Sequence, residues 1–181
     1  MSSIRTSTPP EAPRLAVCHC ERLAAAVLNE LVAAGWSTAT EPLPARPWSL
    51  RDASLVTSAS VTGLDQLGEI AEVLSRGVSV VASAGSEQLG AQLFDQCRRL
   101  AAAEWFDPDV PPLTAGLDLL HLQLLLGIQQ GDDVAAAARR CHVSPRTAAR
   151  RLAEARSQLG ARTTAEAAAR VATRVRDLAP H

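Results

Sequence analysis

The chain has 181 residues, of which 47% are hydrophobic and only 3% are aromatic, so its cores must be built mostly from Leu, Val and Ala. This length is enough for one medium or two small domains. All 18 basic residues are Arg, the formal net charge is −1, and no apolar run reaches the length of a membrane span. The N-terminus also lacks the apolar core of a signal peptide. We therefore expect a cytoplasmic protein and exclude a membrane protein or a disordered chain.

The first two thirds of the chain predict a parallel α/β domain. Residues 1–13 are polar and contain proline, which predicts a flexible tail, and residues 14–105 then alternate between short apolar runs and amphipathic segments. Strands that alternate with helices of this length indicate a parallel sheet covered on both faces. The predicted strands are 14–18, 36–40, 53–59 and 78–82, and the predicted helices are 21–34, 64–75 and 87–105.

The two parts of the chain differ in charge. Residues 106–112, Phe-Asp-Pro-Asp-Val-Pro-Pro, predict a stiff linker between them. Residues 113–181 hold ten Arg against six acidic residues, a balance of +4, whereas residues 1–112 hold eight Arg against thirteen acidic residues, a balance of −5. A basic C-terminal third favours nucleic-acid binding by that part of the chain, although a chance asymmetry of surface charge would look the same.

The four cysteines fit a reducing compartment. Among them, Cys18-His19-Cys20 is the one cluster that suggests a metal or redox site. Because side chains alternate along a strand, Cys18 and Cys20 would share one face and His19 would point away. A metal or redox site would then need Cys97 or another ligand to approach. We favour small buried hydrophobic side chains at a strand end, and we expect neither a metal nor a cofactor.

The stretch 131–160 predicts two helices joined by a tight turn. The turn falls at His142-Val143, after which Ser144 supplies an N-cap oxygen and Pro145 occupies the first helical position. A short helix, a turn of a few residues and a capped helix with outward guanidinium groups form the layout of a helix-turn-helix. The predicted apolar face of the first helix is Val134, Ala137, Ala138 and Cys141, and that of the second is Ala148, Leu152, Ala155 and Leu159.

The same stretch resembles the LuxR/NarL-type DNA-binding domain. A final helix belongs to that pattern, and residues 163–176, opened by the capping-box pair Thr163 and Glu166, predict it here. The resemblance covers about Leu117 to Val175 and implies an all-α helix-turn-helix domain, placed at 113–178, that binds double-stranded DNA as a homodimer. The residues that follow the family pattern without a gap are Gly131, Ala138, Val143, Ser144, Thr147, Leu152, Leu159 and Gly160.

The second helix of this pair is the one that the resemblance directs at DNA. The family's reading positions map onto Ala149, Arg150 and Ala153. Since Arg can bind guanine in a bidentate manner and Ala offers at most a contact to a thymine methyl, direct readout would fall to Arg150, helped by Arg146 and Arg151. Sequence preference would then be modest or partly based on DNA shape. The predicted DNA-binding residues are Ser144, Arg146, Thr147, Ala149, Arg150, Arg151, Ala153 and Ser157.

Two observations weaken the likeness. The family's Leu-Thr-Pro-x-Glu opening is missing, and His121 stands where its glutamate belongs. An ordinary helical hairpin with a solvated basic face is the alternative structural interpretation.

An α/β domain before a LuxR-type domain is similar to a response regulator, so residues 14–105 resemble a shortened flavodoxin-like receiver. A receiver needs paired acids after its first strand to hold Mg²⁺, an acceptor Asp at the end of its third strand, and a Lys. Here the first strand is followed by a single acid, Glu21, while Asp52 lies at the wrong end of the third strand and the chain has no Lys. We therefore expect a degenerate receiver that cannot be phosphorylated on aspartate.

Such a domain would serve dimerisation, or it would bind a small polar ligand beyond the carboxyl ends of the strands, where open α/β sheets usually bind ligands. The residues predicted to line that edge are His19, Cys20, Ser58, Ser60, Ser83 and Ser86.

Three functions follow from these patterns. The first is a transcriptional regulator that binds an inverted-repeat operator as a homodimer, without a phosphorylation switch and in possible contact with RNA polymerase. The second is a protein-interaction module that docks on RNA polymerase, a sigma factor or another regulator. The third is an enzyme with a nucleotide-using α/β domain. We reject it because the chain has no G-x-G-x-x-G, no P-loop Lys and no G-x-S-x-G motif.

Overall fold

A computed structural model describes residues 13–39, 43, 49–106 and 116–178 of the chain. The predicted tail and linker therefore lie almost entirely outside the described residues. The strands are β1 (Arg14–Cys18), β2 (Ser37–Thr38), β3 (Leu55–Val61), β4 (Ser79–Ala84) and β5 (Ala102–Phe106). The helices are α1 (Glu21–Ala33), α2 (Gln66–Ser75), α3 (Glu87–Cys97), α4 (Leu119–Gln129), α5 (Val134–Arg140), α6 (Pro145–Gln158) and α7 (Thr164–Leu178), with a 3-10 turn at Arg51–Ala53.

The five strands form one parallel sheet in the order β2-β3-β4-β1-β5. Helix α1 covers one face, where Leu23 and Val27 pack on Val81. Helices α2 and α3 cover the other face, with Leu74 and Leu93 in the core. The predicted parallel α/β arrangement is confirmed. The sheet shares parallel strands and two helical layers with a receiver, but its strand order differs from the 2-1-3-4-5 order of flavodoxin-like sheets.

The long helix predicted for residues 87–105 is wrong. Helix α3 ends at Cys97, and residues 102–106 form β5, which pairs in parallel with β1. The alanines at 101–103 favour a helix intrinsically. Tertiary structure overrides this preference, because pairing with β1 satisfies the backbone and buries Phe106 in the α1 layer. The sheet therefore has five strands instead of the four predicted.

Smaller differences concern strand ends. Strand β3 begins and ends two residues later than the predicted 53–59, because residues 51–53 form the 3-10 turn and Ser54 takes a left-handed conformation with φ of 48°. Of the predicted strand 36–40, Ser37–Thr38 form β2, and Thr40 lies outside the described residues. None of the helices within the described ranges is long and apolar enough to cross a membrane.

Helices α4 to α7 enclose a second core, and α1 contacts it from the sheet side. Leu122, Leu125 and Leu152 are among the fully or almost fully buried side chains of this core. Helix α1 packs against α4 and α7, and its last residues, Ala33 and the following Ala34, contact the same core. One helix thus contacts both cores: α1 covers the sheet and, toward its C-terminal end, packs against α4 and α7.

Candidate nucleic-acid interface

The segment between α5 and α6 is a tight turn with a capped helix on each side. The Asp133 side chain accepts a hydrogen bond from the Ala136 N–H at 2.6 Å and begins α5. His142 lies in the turn with φ of 55°. The Ser144 hydroxyl then accepts a hydrogen bond from the Thr147 N–H at 3.1 Å, and α6 begins at Pro145. The predicted turn and the predicted Ser-Pro helix start are therefore present.

Helix α6 has one buried face and one exposed face. Ala148, Leu152 and Ala155 are buried in the second core. Of the predicted DNA-binding side chains, Thr147 and Arg151 are half-buried, and the structure brings the others to the surface. The exposed residues are Ser144, Arg146, Ala149, Arg150, Ala153 and Ser157. Small side chains at 149 and 153 leave room for a surface to approach α6 closely, flanked by guanidinium groups.

Acidic side chains engage two of these guanidinium groups. Arg150 Nη1 lies 2.8 Å from Glu154 Oε1. Arg151 Nη1 lies 3.5 Å from the other oxygen of Glu154 and 3.3 Å from Asp118 Oδ2. Arg146 makes no ion pair with any residue that the structure describes. The exposed face of α6 is therefore less positive than its arginine count suggests.

Glu154 and Asp118 are the residues that sequence reasoning missed. Glu154 follows Arg150 by four positions, a spacing that places the two side chains on the same helix face and was available as a signal. Asp118 lies before α4, far from α6 in sequence, so only the fold brings it to Arg151.

His121 is buried at the start of α4 and links Asp118 to Glu154. The Asp118 side chain accepts a hydrogen bond from the His121 N–H at 3.0 Å, and the Asp118 N–H donates to His121 Nδ1 at 3.2 Å. Nδ1 also lies 2.8 Å from Asp118 Oδ1, and the other ring nitrogen, Nε2, is buried. That buried atom lies 3.5 Å from Glu154 Oε2. The histidine therefore closes a capping box of α4 and directs its other nitrogen toward α6.

Asp118 gives this corner an acid-dependent contribution to stability. Burial raises the pKa of Asp118. The hydrogen bond from the His121 N–H and the nearby His121 and Arg151 side chains together lower this pKa by more, so that it lies below its usual value. A lowered folded-state pKa stabilises the protein fully above about pH 4, the pKa of unfolded aspartate, and the stabilisation is lost as the pH falls through the folded-state value.

We expect Asp118→Asn, which keeps an N-cap acceptor, to flatten the decrease in stability as the pH falls below about 4. At pH 7 it should cost no more than about 1 kcal/mol, because the carboxylate is half exposed. Urea unfolding across this pH range measures both effects. Superimposable acid profiles for the variant and the original chain would contradict the prediction.

The Cys18-His19-Cys20 cluster is dispersed in the fold. Cys18 is buried in β1, and burial, with Cys20 and Glu104 nearby, raises its pKa to about 12, so its thiol stays protonated. The His19 ring stacks edge-on against Trp105 at 5.0 Å, and Cys20 is exposed. Within the described ranges, no group of three His, Cys, Asp or Glu side chains is placed to hold a metal ion.

The predicted serine-lined edge of the sheet is only partly assembled. Ser58, Ser60 and Ser83 line a cavity of about 230 Å³ beside α1, together with Glu21. The other predicted residues do not line it: Ser86 instead caps α3 by accepting a hydrogen bond from the Leu89 N–H. Three of the six predicted residues therefore meet.

No model of a known protein family matches the chain, and no curated protein matches it either. The functional interpretation therefore depends on the residues and geometry of α4 to α7 themselves.

Proposed function

We propose that the protein is a cytoplasmic, DNA-binding transcriptional regulator of the LuxR/NarL type, without enzymatic activity. The observation that carries this proposal is the capped helix α6, which follows a tight turn, buries one face and exposes Arg146 and Arg150 on the other. Helix α6 would enter the major groove, with Arg150 at a base edge and Arg146 at a phosphate. Residues 113–178 would form the DNA-binding domain.

In this proposal two protomers bind the two halves of an inverted repeat. A dimer that reads half-sites about one helical turn apart explains how a helix with a single base-reading Arg can gain selectivity. Helix α7 resembles the helix that members of the proposed family use for dimerisation, although it could equally serve packing within its own domain. Ala168 is buried in the second core, so the exposed Ala165 and Ala169 would form the contact between protomers. Contact with RNA polymerase would accompany binding at a promoter.

The α/β domain would regulate without aspartyl phosphorylation. Strand β3 ends at Val61, two residues beyond the predicted end, and Asp52 lies before the strand in the 3-10 turn. The chain also has no Lys to complete the chemistry of a receiver. We therefore assign the domain a role in dimerisation or in sensing a small ligand, with the serine-lined cavity beside α1 as its ligand site.

A second function, docking on RNA polymerase, a sigma factor or another regulator, is favoured by one observation. Glu154 lies on the exposed side of α6 and engages both Arg150 and Arg151. Protein surfaces that bind DNA are strongly positive, whereas a surface that carries both charges can complement a partner protein.

Arg150→Ala separates these functions. If Arg150 reads a base, we expect specific DNA binding to weaken by about 1–3 kcal/mol, with relaxed preference at one position of the half-site. Arg156→Ala, an exposed arginine nearer the end of the same helix, is the matched control and should have a smaller effect.

The measurement is selection of binding sites from random duplex DNA, followed by titration of the selected site. Recovery of an inverted repeat that the Arg150 variant no longer selects would support the regulator. Salt-sensitive binding without any enriched sequence would favour the protein-interaction module.

A further inference from the structure

The carboxylate of Glu154 lies among three nitrogen-bearing side chains on the side of the molecule that carries the exposed arginines of α6. One oxygen contacts Arg150 at 2.8 Å, and the other lies 3.5 Å from both Arg151 Nη1 and His121 Nε2. The Glu154 side chain is about one-third exposed and Arg150 is largely exposed. A single carboxylate thus holds the two central guanidinium groups of the helix.

The arrangement is fixed from two elements. Arg150 and Arg151 precede Glu154 by four and three positions, so the helix itself brings all three side chains together. Helix α4 adds His121 and the N-cap residue Asp118, which contacts Arg151 at 3.3 Å. Because His121 is buried and closes the capping box of α4, its ring gives Glu154 a rigid neighbour.

The ion pair affects the two modes of DNA binding differently. A guanidinium must leave Glu154 before it can contact a phosphate, and an exposed ion pair of this kind changes an equilibrium by at most about fivefold. A bidentate contact to the correct base changes it by about 5- to 150-fold. Glu154 engages only Nη1 of Arg150, so the guanidinium edge formed by Nε and Nη2 can make a bidentate base contact while the ion pair is kept, whereas moving to a phosphate loses the ion pair.

We propose that Glu154 is a positioning residue that restrains Arg150 and Arg151, lowers binding to non-specific DNA and thereby raises sequence selectivity. This inference rests on the DNA-binding function proposed above. Direct reading of cytosine by Glu154 is the competing role, since a carboxylate can accept a hydrogen bond from the cytosine amino group. The two roles differ on random DNA: restraint by Glu154 predicts tighter binding when Glu154 is replaced, whereas base reading predicts a loss confined to the selected site.

The test is Glu154→Gln in the full chain, measured with a random-sequence duplex and with the selected site at several salt concentrations. Each guanidinium that reaches a phosphate steepens the dependence of log affinity on log salt by about 0.9. For random DNA we therefore expect the slope of the variant to be steeper by about 0.9–1.8. When the salt concentration falls from 1 M to 0.1 M, the affinity of the variant should rise about eightfold more than that of the original chain for each new contact. Affinity for the selected site should change less, so the selectivity ratio falls.

Glu166→Gln is the matched control. Glu166 pairs with Arg170 at 2.6 Å with the same four-residue spacing, so this variant changes the net charge by the same amount. Arg170 also donates a hydrogen bond to the Leu159 carbonyl at 2.8 Å, which keeps its guanidinium in place. The control should leave the salt slope and selectivity of the protein unchanged.

A double variant identifies the released group. With Arg150→Ala already present, Glu154→Gln should steepen the salt slope by no more than the contribution of Arg151. Thermal unfolding of each variant shows whether the fold is kept, and Glu154→Ala repeats the test without the amide that glutamine retains.

The outcomes separate the two proposals. Binding to random DNA that appears or strengthens only in the Glu154 variants supports the inference. If the original chain is selective and Glu154→Gln leaves its salt slope and selectivity unchanged, the inference alone is overturned. A loss of affinity confined to the selected site also overturns the inference alone, because it would assign Glu154 to base reading. Absence of DNA binding by all of these proteins overturns both the inference and the proposed function.

Discussion

Gly77→Ala is expected to lower the free energy of unfolding by about 2–5 kcal/mol. Gly77 follows α2 with φ of 91°, a conformation that costs a residue with a Cβ about 1–2 kcal/mol. An added Cβ would also lie 2.9 Å from both the backbone N and the Cα of Arg51. The backbone there cannot easily withdraw, because the Leu50 N–H donates to the Arg76 carbonyl at 2.6 Å, so overpacking adds about 1–3 kcal/mol.

Gly131→Ala is the control without a steric contact, so its comparison with Gly77→Ala gives the steric part of the loss. Gly131 has φ of 97°, yet an added Cβ would meet no atom within 4 Å. We expect it to lose only the conformational cost of about 1–2 kcal/mol. Urea unfolding at 25 °C compares the two variants. Equal losses would show that the contact with Arg51 is unimportant and that the 3-10 turn is not held against the end of α2.

Local signals in the sequence were sufficient for α6 and for the start of α7. Ser144, Pro145 and the period of Ala148 and Leu152 fix the start and the buried face of α6 without help from the rest of the fold. At the start of α7, the Thr163 hydroxyl accepts a hydrogen bond from the Glu166 N–H as predicted, although the return bond to Glu166 comes from the Arg162 N–H. Capping chemistry acts over three or four residues, which is why it could be read directly.

Non-local pairing explains the errors. The segment 98–106 looks helical by composition, and only its place beside β1 makes part of it a strand. Strand order is invisible for the same reason, because adjacent strands β1 and β4 are more than 60 residues apart in sequence. The contacts of Arg151 with Asp118, and of His121 with Glu154, likewise depend on how α4 and α6 cross.

The second large effect is expected for Arg174→Met, which removes an ion pair between the two cores. Arg174 Nε on α7 lies 3.0 Å from Glu30 Oε2 on α1, and the Glu30 side chain is completely buried. Removing one partner of a buried ion pair typically costs about 3–5 kcal/mol. Since Arg174 is one-quarter exposed and methionine keeps much of its volume, we expect a loss of about 2–4 kcal/mol in urea unfolding.

Arg176→Met is the matched control for this substitution. Arg176 is exposed two residues later on the same helix, so its replacement should change stability by no more than about 0.5 kcal/mol. Glu30→Gln should cost less than Arg174→Met, because the amide oxygen can still accept a hydrogen bond from the guanidinium. Equal stabilities of the two arginine variants would mean that the Glu30 contact is energetically neutral.

The ion pair between Glu30 and Arg174 lies between the two cores, so its loss should affect how cooperatively they unfold. Helix α1 packs on the sheet through Leu23 and Val27. On the same buried side, nearer the end of the helix, Glu30 contacts Arg174 of α7, and the Arg174 guanidinium lies 5.9 Å from the Phe106 ring. A loss of 2–4 kcal/mol at this contact acts on the connection between the two cores more than on either core. Arg174→Met should therefore speed hydrogen exchange in the last turn of α1 and separate the unfolding of the helical third from that of the sheet. A single, uniformly destabilised transition would show that the cores are coupled elsewhere along α1.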